Sequence, residues 1–98
     1  MTAGSDVGAT RDDGILVKSL QLRDIEDVRA VEEEMARGKT VMILRVTPMA
    51  QKGGEELRTA VERLYASATG AGGDIARLGD ERIVITPPGV RIWRERRP

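Results

Sequence analysis

At 98 residues the chain makes one compact domain and not two. With one Tyr, one Trp and no Phe the core has to be aliphatic, and the lack of Cys and His removes disulfides, most zinc sites and the common Ser-His and Cys-His nucleophile pairs. Sixteen basic residues balance sixteen acidic ones, and zero net charge argues against a dedicated nucleic-acid binder, which needs a net basic surface.

Residues 1–13, MTAGSDVGATRDD, are small and polar and read as a flexible tail. They carry no apolar centre of a signal peptide, and no apolar run in the chain nears the ~20 residues that span a bilayer. The default compartment is the cytoplasm. Ile15, Leu16 and Val17 begin a first strand that runs to about Leu20 or Leu22. Asp24 then caps a helix, with Asp27 where a capping-box acid would sit. Ile25, Val28, Val31 and Met35 form its apolar side at helical spacing. The other side holds Glu26, Asp27, Glu32, Glu33 and Glu34, which reads as a solvated face before it reads as a surface for a basic partner. Gly38 suits the C-terminal cap.

Thr40 to Val46 is the second strand, apolar on both parities and therefore expected to be central and covered on both faces. Thr47-Pro48 closes it, and residues 49–54 read as a loop. Lys52-Gly53-Gly54 is no phosphate cradle, because a P-loop Lys follows its glycines and precedes Ser or Thr. Glu55 to about Thr69 is a second helix, with Leu57, Ala60, Val61, Leu64, Tyr65 and Ala68 as its stripe and Tyr65 placed in the core. Gly70, Gly72 and Gly73 end it.

The stretch 72–90, GGDIARLGDERIVITPPGV, is the chain's clearest local signal. Ile75, Ala76 and Leu78 carry one strand, Gly79-Asp80 turn it, and Ile83, Val84 and Ile85 carry the next. Thr86-Pro87-Pro88-Gly89 stops the ladder, because Pro cannot donate to it. Val90 to Trp93 alternates and suggests a further edge strand, with Trp93 packed over the sheet rim; residues 94–98 are a basic tail. The fold expected is a two-layer α/β sandwich in βαβαβββ order. It has a mixed sheet of about five strands with both helices on one face, and its domain spans residues 14–93.

Three function classes remain. One is a non-enzymatic adaptor. A second is a small RNA- or anion-binding module using Arg91, Trp93, Arg94, Arg96 and Arg97, though RNA-binding sheets stack bases on aromatics that this sheet lacks. An enzyme is third, and without His or Cys no spacing of the carboxylates suggests a catalytic set. No cofactor or metal is expected.

The block GGDIARLGDERIVITPPGV, the Ile15-Leu16-Val17 start and the Asp24–Val28 run, DIEDV, together resemble the SepF family of cell-division proteins. The likeness covers roughly residues 14–93 and leans to the archaeal branch. It implies a dimeric adaptor that binds the C-terminal tail of the tubulin-like FtsZ and tethers it to the membrane at the division site. The family's tail-binding positions fall on Arg77, which would pair with acidic groups, and Ile83, which would pack apolar ones. The family usually opens with an amphipathic membrane helix; residues 1–13 have no such stripe, so they are not expected to insert.

A homodimer also follows from counting faces. Two helices cover one face of a sheet, yet Val41 and Ile43 oppose Met42 and Leu44, Val84 opposes Ile83 and Ile85, and Ile15 and Val17 oppose Leu16. One of these sets would lie in water unless a second copy covered it. The sequence does not tell which parity faces the helices.

Overall fold

The computed structural model describes residues 14–95; the expected tail 1–13 and the basic Arg96 and Arg97 lie outside the described residues. The elements are β1 (Leu16–Gln21), α1 (Ile25–Arg37), β2 (Thr40–Arg45), α2 (Thr47–Ala50), α3 (Gly54–Gly70), β3 (Asp74–Leu78) and β4 (Arg82–Thr86). The sheet runs in the order β1-β2-β4-β3. β1 and β2 are parallel and joined through α1, while β4 is antiparallel to both of its neighbours. This is the expected α/β class, with four strands among the described residues.

The caps form as their residue types require. The Asp24 carboxylate accepts from the Asp27 N–H at 3.2 Å, and Gly38 ends α1 at φ 73°, a left-handed conformation open to glycine at little cost. Asp27 does not reach back to the Asp24 N–H. It accepts instead from the Arg23 N–H at 2.8 Å and the Arg23 Nε at 2.9 Å, so the box closes one residue earlier.

One core lies between the sheet and the helices. Met42, Leu44, Ile75, Ile83 and Ile85 meet Val28, Val31, Ala60, Leu64 and Ala68, with Leu22, Val46 and Met49 closing one end. The acidic face of α1 is partly spent on holding this packing together. The Glu32 carboxylate accepts two bonds from Arg63 of α3, at 2.8 and 2.9 Å, and one from the Ser67 hydroxyl at 2.7 Å. Glu34 accepts from the Thr40 hydroxyl at 2.7 Å and pairs with Lys18 of β1 at 3.1 Å.

Several expectations need correction. Residues 47–50 form a short helix and not a loop: Pro48 sits in its first turn, where a missing N–H costs nothing, and the Met49 N–H donates to the Leu22 carbonyl. β2 is covered on one face only, since Met42 and Leu44 are buried while Val41 and Ile43 are half-buried. Tyr65 is 39 % exposed, because Leu64 and Ala68 take the sheet-facing positions of α3 and leave it on the shoulder. Ile25 likewise lies outside the core. Val90–Trp93 is not a strand; its backbone is held by side chains, as described below, and Trp93 is 83 % exposed rather than packed on the rim.

Candidate partner-binding site

Gly79 turns the β3–β4 hairpin at φ 69°, which sets the register that places Arg77 directly opposite Ile83. The two residues assigned to a peptide site therefore do meet, on the face that bears the helices. Their surroundings differ. Arg77 lies near the end of an edge strand and is exposed, with Nη2 3.4 Å from the Asp80 carbonyl oxygen. Ile83 also pairs with Leu44 of β2 and has no exposed surface. Its side chain is core, and it offers a partner no contact area.

The other face of the sheet is open. The register sets Val17 beside Val41, Ile43 opposite Val84 and Val84 opposite Ala76, which makes a continuous apolar band across all four strands. Val17 is 67 % exposed, and the remaining four are half-buried. This resolves the parity: Val41, Ile43 and Val84 are available to a partner, whereas Met42 and Leu44 lie under the helices.

Two further features escape sequence reasoning. A groove of about 270 Å³ between the helices is lined by Ile25, Met49, Thr59 and Ala60 together with Glu56 and Arg63. Only the exposure of Ile25 reveals it, and helical spacing had placed Ile25 in the core. The second is a cluster around Asp74. Its carboxylate accepts from the Ile75 N–H at 2.9 Å, the Ile92 N–H at 2.9 Å and both Nη atoms of Arg94 at 3.2 Å. The Arg94 guanidinium, with the Ile92 N–H behind it, holds the Asp74 carboxyl down at about 2. The Thr86 hydroxyl donates to the Val90 carbonyl at 2.6 Å. Residues 90–94 are thereby strapped from the end of β4 to the outer side of β3. Anchors at 92 and 94 leave the intervening Trp93 turned outward.

Several comparisons bear on this arrangement. The family model described as "Cell division protein SepF" matches residues 17–92, which takes in every strand but the first residue of β1, all the helices, and the start of the strap. No curated protein matches the chain. Among solved structures, a SepF-like protein from Pyrococcus furiosus superposes with a TM-score of 0.76 at 27 % identity, covering 86 % of this chain and 100 % of its own. One from Archaeoglobus fulgidus also gives 0.76, at 18 % identity, covering 86 % and 99 %. The cell division protein SepF from Methanobrevibacter smithii, solved in complex with FtsZ-CTD, gives 0.69 at 18 % identity, covering 81 % and 98 %. With a hairpin-centred sheet, a one-sided helical layer and a family model that spans nearly all of it, the chain belongs to the SepF family of cell division proteins.

Proposed function

We propose that this protein is a non-enzymatic adaptor of the division machinery, a homodimer that captures the C-terminal tail of FtsZ and helps to link it to the membrane at the division site. The observation that carries the reading is the family match across residues 17–92. The Methanobrevibacter smithii protein, whose structure contains FtsZ-CTD, has the same fold and supports the choice of partner. Arg77 is the contact residue on this reading. It is an exposed cation on an edge strand, suited to the acidic groups of a tail. Ile83 acts from beneath, by fixing the strand on which Arg77 stands. No helix among the described residues is long and apolar enough to cross a membrane.

The open sheet face is the proposed dimer surface. A band of Val17, Val41, Ile43, Ala76 and Val84 is self-complementary about a two-fold axis, and a second copy would remove it from water.

The test of the peptide site is charge reversal. Arg77→Glu should weaken capture of an FtsZ tail peptide at least about tenfold while leaving the fold intact, because attraction becomes repulsion. Fluorescence anisotropy with a labelled peptide reads this directly. Unchanged affinity in a folded Arg77→Glu protein removes the hairpin as the site.

A further inference from the structure

We propose that the outer edge of β3 is a strand-pairing surface for a second copy of this chain, and that residues 90–94 hold it shut. β3 is an edge strand, bonded to β4 on one side only. The backbone groups of Ile75 turn away from β4. Its N–H donates to the Asp74 Oδ1 at 2.9 Å, and its carbonyl accepts from the Arg94 Nη2 at 2.9 Å. Antiparallel ladders alternate, so Arg77, two residues on, presents its own N–H and carbonyl on the same outer side. Such a row of backbone groups is a template for another strand unless something covers it.

The cover is the strap. Asp74 and Arg94 occupy both outward groups of Ile75, and the Ile92 N–H on the Asp74 Oδ2 keeps the strap in place. These are side-chain bonds and not a ladder, so they can be released without disturbing the β3–β4 pairing. The edge is also self-complementary. Antiparallel pairing about a two-fold axis at Ala76 sets Ala76 on Ala76, Ile75 opposite Arg77 and Asp74 opposite Leu78, with no like charges face to face. The surface is separate from the open face of the sheet and stands whether or not that face forms a dimer. If both pair, face contacts and edge contacts alternate and link copies into an open chain.

Two variants loosen the strap. Asp74→Ala removes its anchor, and Arg94→Ala leaves β3 itself unaltered and the Ile92–Asp74 bond in place but uncovers the Ile75 carbonyl. At protein concentrations too low for copies to pair, hydrogen exchange should show the Ile92 and Ile75 amides opening about tenfold faster or more in Asp74→Ala, with the β3–β4 ladder still protected. Light scattering should show both variants growing with concentration beyond the mass of the unmodified protein. Adding Arg77→Pro, which deletes an outward N–H and spares the β4 ladder, should restore the unmodified mass. Faster exchange at unmodified mass would overturn the proposal, because the freed edge then does not pair. Unchanged exchange would overturn the clasp, and growth that survives Arg77→Pro would place the contact elsewhere.

Discussion

At Gly73 a single missing Cβ decides how closely two strands approach. A Cβ built there would run into the Thr86 carbonyl oxygen, which is backbone and cannot step aside. Gly73→Ala should therefore cost about 1–3 kcal/mol, as overpacking does, measured by chemical denaturation. Gly54 is the contrast. It stands in the first turn of α3, with nothing within 4 Å of its Cβ position and no positive φ. Gly54→Ala should be neutral or stabilise by up to about 1 kcal/mol. Equal effects at the two sites would contradict the close approach at Gly73. Asp74 gives a pH test. Its folded carboxyl lies at about 2, below the ordinary 3.8, so its stabilisation is fully present above 3.8 and is lost as pH falls through about 2. The Ile92 amide should stay protected at pH 5 and open only on approach to pH 2; opening centred above pH 4 would contradict the clasp. Asp24 and Asp74 also show what sequence reading can reach. The cap at Asp24 closes on a residue three positions away and was legible. The bonds of Asp74 close on residues 18 and 20 positions away, a proximity that only the folded sheet creates.

Among the elements, β2 carries the sharpest contrast, because its neighbours Ile43 and Leu44 face opposite layers. Leu44 is fully buried beneath the helices. Leu44→Asp places a charge in an apolar core with no partner and should cost several kcal/mol, enough to unfold a domain of this size. Ile43 lies in the open band, so Ile43→Asp should stay folded and become monomeric. Circular dichroism and light scattering on the pair check this; an unfolded Ile43→Asp beside a folded Leu44→Asp would invert the assignment. The existence of β2, α1, α3 and the hairpin was legible from period and turn chemistry. The parity of β2 was not, because both of its sides are apolar and the choice is made by the helices. The four-residue α2 is too short to show a period. Val90–Trp93 alternates like a strand, but its backbone bonds run to the Pro87 carbonyl and to the side chains of Thr86, Asp74 and Arg94, which alternation does not report.

For the whole molecule, three surfaces surround one core: an exposed arginine at the hairpin end, an apolar sheet face and a strapped sheet edge. The division of labour follows from one-sided helical cover. Both long helices and the Glu32–Arg63 bridge lie on one side and leave the other face of the sheet open; on the proposed reading that face is the one a second copy covers, and the exposed Arg77 at the hairpin end is the one a peptide meets. The most direct test is calorimetric titration of the unmodified protein with a synthetic FtsZ C-terminal peptide, alongside a peptide of the same composition in scrambled order. The expected result is saturable binding of one peptide per chain, weakened by salt and absent for the scrambled peptide. A folded protein that takes up neither peptide at high micromolar concentration, or takes up both equally, would contradict the role of adaptor for FtsZ.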